Sequence, residues 1–528
     1  MRSIIRPLLA GNNAWMKKVL PRVRAFWARC CFPLMTAVAL IWFLVRVIPK
    51  PGRASYPCQR AAFPLASACV IWLLGLKASM VTGVKTGLLL RKVRVALAGI
   101  TVVFAFSLIA WGIGLKQTTA GLSTDGPNSP MGTGKGLYPG RVAWIHDPTA
   151  ALWNSAGNWW ADTFNNQAAI DQMVSKTIRC VAGQNTDAAA WDCLFHSFNK
   201  RTGKGDVGYA PGEKIAIKIN ENNTSSHADS TEINASPHMV LALLKELINQ
   251  AGVAQSNITV FDASRFITDN LYNKCHGQFP GVVFVDNIGG GGRVKTTYQT
   301  NAILYSVSCN LAKGLATCVV QANYVIDMAV LKGHVGQGIT LCGKNFYGST
   351  SIASDWTKNS HDYFSPKSDG SPTYVAFTDF LGHKDLGGKT LLFMIDALYG
   401  CKVVNGPPGP KWNLSPFSGR WPSSLFVSED GVAVDSVALD FFRSEWATAG
   451  DLNYCDTYLH EAALANNPPS HTFYDPERDG IRCPSLGVHE HWNNASTKAY
   501  SRNLGKNAGI ELVALHSVAG VSIAITNP

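Results

Sequence analysis

The first 116 residues contain no aspartate or glutamate, although they carry seventeen lysines and arginines. That absence locates the formal charge of +12, because the rest of the chain holds 30 basic against 35 acidic residues, a net of −5. The excess basicity flanks apolar runs and forms no folded positive face, which argues against a nucleic-acid partner. None of the thirteen cysteines forms a C-x-x-C pair, so the ligand sets of zinc ribbons and ferredoxin-type clusters are missing. The first β-α turn has no G-x-G-x-x-G and the Walker pattern is absent, which removes the usual nucleotide cradles.

Three apolar runs stand in the acid-free segment, at 32–48, 61–83 and 95–115. The third has twenty-one uncharged residues, enough to cross the hydrocarbon core. The second must snorkel Lys77 to do so. Three runs in succession exceed what a cleaved signal peptide needs. Seven basic residues precede the first run and four (Lys85, Arg91, Lys92, Arg94) stand between the second and third, against three (Lys50, Arg53, Arg60) between the first and second. The positive-inside rule then puts the N-terminus in the cytoplasm and everything after Leu115 on the outer side. The expectation is a multi-pass protein of the inner or plasma membrane, with the lipid bilayer as a partner and an extracytoplasmic C-terminal domain. Nine cysteines follow the anchor, and Cys180–Cys193 and Cys309–Cys318 are the pairs nearest in sequence, with connectivity open.

Residues 117–140 are rich in Gly, Ser, Thr and Pro and read as a flexible linker to a domain over 141–515, with 516–528 as a tail. A strand over 141–145 and a helix over 166–181 open that domain. A β-α-β unit follows, with a strand at 214–219, a helix at 236–251 begun by Ser236-Pro237, and a strand at 258–262. The fold class is α/β, a mixed and mainly parallel sheet flanked by helices, preceded by about three transmembrane helices. Open sheets of this kind hold ligands at the C-terminal ends of their strands. Asn220, Asn222, His227, His238 and Asp262 all fall at that edge, and Asp396 ends a later strand over 390–397.

The stretch NYVIDMAVLKGHVGQGITLCGKNFYGS (323–349) reads as a buried strand over 324–331, then a glycine loop, then a helix opening near Gly338. Loop backbone at Gly336 and Gly338 and the helix N-terminus favour an anion. Lys332 and His334 add charge and proton-transfer capacity, and Thr340 and Lys344, four apart, fall on one helix face. Asp430 precedes a helix over 432–446 as a cap or a ligand, and Asp435 lies in its first turn. His489-Glu490-His491 puts two imidazoles on one side of an extended segment, a geometry suited to a divalent metal.

These blocks resemble the domain of unknown function 362 family, whose pattern pairs "aDvvInvpklKtH" with "TlalKNlfG". Here they stand as NYVIDMAVLKGH and TLCGKNFYG, matching Lys332, His334, Thr340, Lys344, Asn345 and Gly348. IDALYG, NGPPGP and EDGVAVDSVALDFF place Asp396, Gly400, Asp430 and Asp435 on a second family block. The resemblance implies export, and for members fused to ferredoxin-like modules an iron–sulfur cluster. This chain lacks that cysteine pattern, so no such cluster is expected, and no particular reaction is implied.

The sequence therefore leaves three readings. In the first, an enzyme acts on an anionic small molecule or envelope component, with His334, Lys332, Lys344 and Asp396 as catalytic groups. Asn220, Asn222, Asp262, Gly336, Gly338, Thr340, Asn345, Asp430 and Asp435 are its ligand-binding candidates. In the second, the same residues bind without turnover, as in a scaffold. In the third, a metal enzyme uses His489 and His491 with His227 or His238.

Overall fold

The computed structural model describes residues 125–334, 338–355, 372–446 and 453–516, with a few isolated positions besides. The three expected spans fall almost wholly outside the described residues, as does Gly336. Among the described residues, no helix is long and apolar enough to cross a membrane.

In chain order the strands are β1 (Met131–Gly132), β2 (Arg141–His146), β3 (Ile215–Lys218), β4 (Ile258–Asp262), β5 (Val283–Asp286), β6 (Val294–Lys295), β7 (Tyr298–Gln299), β8 (Leu315–Ala316), β9 (Tyr324–His334), β10 (Gly338–Thr340), β11 (Thr390–Cys401), β12 (Ser424–Ser428), β13 (Val488–His489) and β14 (Glu511–His516). The α-helices are α1 (Gln167–Ala182), α2 (Asp187–Arg201), α3 (Pro237–Lys245), α4 (Asp269–Gln278), α5 (Thr317–Gln321), α6 (Cys342–Asn345), α7 (Ala376–Gly382), α8 (Gly431–Glu445) and α9 (Asn453–Ala463). The main sheet runs β14-β2-β12-β11-β9-β3-β4-β5-β6, with β10 folded back on β9. Within it β12 and β10 pair antiparallel and the remaining pairings are parallel. The architecture is α/β with a mainly parallel sheet, as the sequence led us to expect.

Strand alternation builds two cores, one on each face. In β9, Val325, Ala329 and Leu331 face one, and Tyr324, Ile326, Met328 and Val330 the other. Such near-continuous apolar strands are what a parallel sheet covered on both faces requires. Helices α1 to α4 cover one face and α6 to α9 the other. In α1 the Asn166 side chain accepts from Ala169 N–H, and Gly183 closes the helix at φ +65°. Helix α3 starts at Pro237 as expected and continues as a π-helical turn over Glu246–Gln250. The Ser236 hydroxyl does not cap it; instead Asp396 Oδ2 accepts from Ser236 N–H at 2.9 Å.

Two expectations need correcting. Residues 125–140, read as linker, are bonded into the domain: β1 pairs with β13, and Leu137 N–H donates to Glu429. The unmet backbone donors and acceptors of this stretch find partners in the domain, which outweighs its loop-like composition. The second correction concerns the glycine loop. Strand β9 runs on through Lys332 to His334, and Gly338–Thr340 turns back as an antiparallel partner, with Thr340 opposite Lys332. No helix opens at Gly338. Thr340 and Lys344 therefore share no helix face, because α6 begins only at Cys342.

Asp430 caps α8. Its Oδ1 accepts from Val432 and Ala433 N–H (3.1 and 2.9 Å), and its Oδ2 from Lys135 and Val488 N–H (2.9 and 3.1 Å). A Cβ on Gly487 would lie 2.0 Å from Asp430 Oδ1, so a glycine is required where this chain passes the cap. One buried carboxylate thus ties the helix start to the segment between β1 and β2 and to β13. Asp430→Ala strands four N–H groups and is expected to cost on the order of 3 kcal/mol, read as a lower urea midpoint of tryptophan emission. Asp430→Asn, which keeps an acceptor, is expected to lose less.

Candidate functional site

Register brings charge together at the C-terminal ends of β3, β4 and β9. Lys218 is the last residue of β3, directly opposite Asp327 of β9. Its Nζ reaches Asp262 Oδ2 at 3.1 Å and Asn345 Oδ1 at 3.2 Å. Asn345 Oδ1 also accepts from Asn220 Nδ2 at 3.1 Å, while its Nδ2 donates to Asp327 Oδ1 at 2.6 Å. Asp262 is held by Glu221 N–H at 3.0 Å and by the Ser264 N–H and hydroxyl at 3.0 and 2.9 Å. The chain at Gly348 presses on this group: a Cβ there would sit 2.8 Å from Lys218 Nζ and 3.0 Å from Asp262 Oδ1.

Around this network stand groups with unmet charge. Lys332 is fully buried, and its only hydrogen bond among the described residues is a long one, 3.4 Å, to Ile233 O. Burial pushes its pKa down to about 8, against the pull of the Cys401, Glu221 and Asp262 charges. Lys344 is 9% exposed and donates no hydrogen bond among the described residues. Burial and then the neighbouring cations Lys332, Arg265 and Lys218 lower its pKa to about 7. Glu221 is fully buried, and neither carboxylate oxygen has a hydrogen-bond partner. Burial and the Asp262 charge hold Glu221 protonated well above the usual carboxylate range, against Lys332 and Lys218. Burial does the same to Asp327, opposed by Asn345 and Lys218.

The structure thus unites Lys332, Lys344, Asn220, Asp262 and Asn345 from the sequence candidates. It adds Lys218, Glu221, Arg265 and Asp327, which sequence reasoning missed. A lysine in IAIK and an aspartate in YVIDMAV were the available signal, since a charge inside a doubly buried strand demands a partner.

Other candidates go elsewhere. The α6 N-terminus is already occupied, because Asp435 accepts from Cys342 and Gly343 N–H at 3.0 Å each and from Tyr458 OH at 2.7 Å. Asp396 accepts from Ser236 and Leu398 N–H. Asn222 makes contacts with Asn220 and Asn223, and His334 pairs across the hairpin with Gly338. His227 bonds Asp286 at 2.7 Å and His238 bonds Asp162 at 2.9 Å, and neither belongs to a group with His489. The nine cysteines from Cys180 to Cys483 are all free thiols.

His489 and His491 do turn to the same side, with ring centroids 4.9 Å apart, while Glu490 between them bonds Ser501 and Ile510. They belong to two overlapping groups, Asp456–His489–His491 and Asp125–His460–His489, each with ligand atoms within 4.8 Å of one another. Burial and the two neighbouring histidines keep His489 neutral, well below its usual pKa. For His491 burial is outweighed by Asp440 and Asp456, which raise it to about 10. Asp456 and His460, four apart on α9, were the missed signal.

Residues 215–440 match the model of a family described as a domain of unknown function (DUF362). Over those residues the chain carries a DUF362 domain. A comparison with curated proteins finds no match. The DUF362 segment runs from β3 into α8 and contains the whole lysine site. Asp125, Asp456, His460, His489 and His491 all lie outside it.

Lys344 provides a direct test of this electrostatic picture. Between pH 7 and 10.5 the unfolded chain holds a proton on this lysine that the folded chain does not, so stability contributed here rises with pH across that window. Lys344→Met removes the burial penalty. It is expected to stabilise by on the order of 4 kcal/mol at or below pH 7, with the gain shrinking towards pH 10, in urea denaturation at each pH.

Proposed function

We propose that this DUF362 protein is a membrane-tethered domain, held outside the cytoplasm, that binds an anionic small molecule or cell-envelope component at the lysine site. The observation that carries the reading is Lys344. Among the described residues it is buried and makes no side-chain hydrogen bond, and the charges that act on it are the cations Lys332, Arg265 and Lys218. A buried ammonium normally has a counter-ion. An anion seated beside Lys344, within reach of Lys332 and Arg265, supplies one. Recognition is by side chains and not by a helix N-terminus, which Asp435 already fills. For turnover, Glu221, whose pKa burial raises, and Lys344, whose pKa burial and neighbouring cations lower to about 7, are the candidate proton-transfer groups. Binding without turnover uses the same contacts.

Sulfate is a suitable probe because its charge is constant over the relevant range. Lys344 and Lys332 lose their protons as pH rises through about 7 and 8, so sulfate affinity is expected to fall at least about fivefold from pH 6.5 to 9 by calorimetry. Lys344→Met is expected to abolish binding at both; retention of wild-type affinity would refute the site.

The tether has its own measurement. A cysteine introduced at Thr118 is expected to react with a membrane-impermeant maleimide in intact cells above the native-cysteine background. Protection until the cells are lysed would place the domain in the cytoplasm.

A further inference from the structure

We propose that His489, His491 and Asp456, with His460 and Asp125 completing the shell, form a site for a divalent transition ion of the zinc class. The site is distinct from the lysine site, since these five residues come from β13 and the residues just after it, α9 and the segment before β1.

The tautomers argue for it. The Ser436 hydroxyl has one hydrogen, which donates to Val432 O at 2.7 Å. Its 2.8 Å contact with His489 Nδ1 is then satisfied only when Nδ1 carries the proton and donates. The lone pair of His489 is thereby left on Nε2, which is buried and has no hydrogen-bond partner. His491 Nδ1 donates to Asp440 Oδ1 at 2.7 Å, and Asp440 is itself fixed by Trp492 N–H and Tyr500 OH, both at 2.9 Å. A carboxylate behind an imidazole is the support that metal-ligating histidines use to set ring orientation. The Nε2 of His491 is likewise buried without a hydrogen bond and stands 3.5 Å from Asp456 Oδ1. Arg443 holds both Asp456 oxygens, at 2.8 and 3.0 Å.

A buried His489 Nε2 without a hydrogen bond, with ligand atoms of His489, His491 and Asp456 gathered within 4.8 Å, is costly in a dry interior unless something bridges the group. A cation held by His489, His491 and Asp456 supplies the missing partner. On the other side of His489, the Nε2 of His460 contacts Asp125 Oδ2. The His460 and Asp125 side chains keep 22% and 21% of their surface, which gives the ion a way in. Imidazole with carboxylate and no thiolate selects zinc, cobalt, iron or nickel over magnesium and calcium, which prefer all-oxygen shells.

The test is equilibrium dialysis of the full 528-residue chain in detergent against Co²⁺ and Zn²⁺, with the Co²⁺ visible spectrum recorded. The expected result is about one ion per chain, bound at least 100-fold more weakly in His489→Ala and not displaced by excess Mg²⁺. Loss of affinity of about tenfold is expected in Ser436→Ala, which leaves every ligand in place but frees the His489 tautomer. Should His489→Ala fail to fold by near-ultraviolet dichroism, His460→Gln at the half-exposed rim is expected to fold and bind at least tenfold more weakly. Binding equal in the wild type and these variants, which would mark the cysteines as the ligands, overturns the proposal. So does an absence of Co²⁺ or Zn²⁺ binding, or displacement by Mg²⁺.

Discussion

The side chain of Asn345 holds the site end of this domain together. Its oxygen takes hydrogen bonds from Lys218 and Asn220 while its nitrogen serves Asp327, so one amide joins β3, β9 and the end of α6. All four groups are buried, where an unpaired ammonium or carboxylate costs several kcal/mol. Asn345 gives both Lys218 and Asp327 a hydrogen-bond partner, and Asp262 gives Lys218 a counter-ion, where they stand on neighbouring strands. The path of the chain through Gly348 follows from the same need, since a side chain there would displace Lys218.

A second side chain, Asp435, fills the N-terminus of α6. By bonding the first N–H groups of α6 it occupies the helix dipole, so that in the proposed reading anion binding falls to the lysine side chains. Those lysines gather more positive charge than the local carboxylates balance, the more so with Glu221 and Asp327 held protonated. The lysine site lies inside the DUF362 segment. The histidine cluster lies on residues outside it and shares only its supporting groups, Ser436 and Asp440, with that segment.

Much of the architecture was legible because burial writes itself into strand sequences. IAIK, ITVFD and YVIDMAV are apolar on both faces, and the helix after Ser236 begins with Pro237. The H-x-H step was legible for the same reason, because alternation alone turns both rings one way. The hairpin at Gly338 was not legible. Gly-Ile-Thr after a glycine loop fits a helix start and a short strand equally, and only the open edge of hydrogen-bonding groups at Lys332 to His334 selects the strand. Nor was the order of residues 125–140, whose turn-rich composition resembles a linker while its backbone is claimed by Glu429, Asp430 and β13.

By itself the sequence determined the α/β class, the strand that carries Lys332, the family to which the domain belongs and the facing of His489 and His491. Each of these rests on local periodicity or on a contiguous motif. Only the tertiary structure decided which charges meet. Lys218, Glu221 and Arg265 join Lys344 through sheet register, and Asp125 and His460 join His489 through the packing of α9 and the leading segment. Asp430 and Asp435, candidates for ligand binding on sequence grounds, are instead spent on backbone N–H groups. A carboxylate in a dry interior binds the nearest donors, and which donors are nearest is fixed by the fold and not by the chain order.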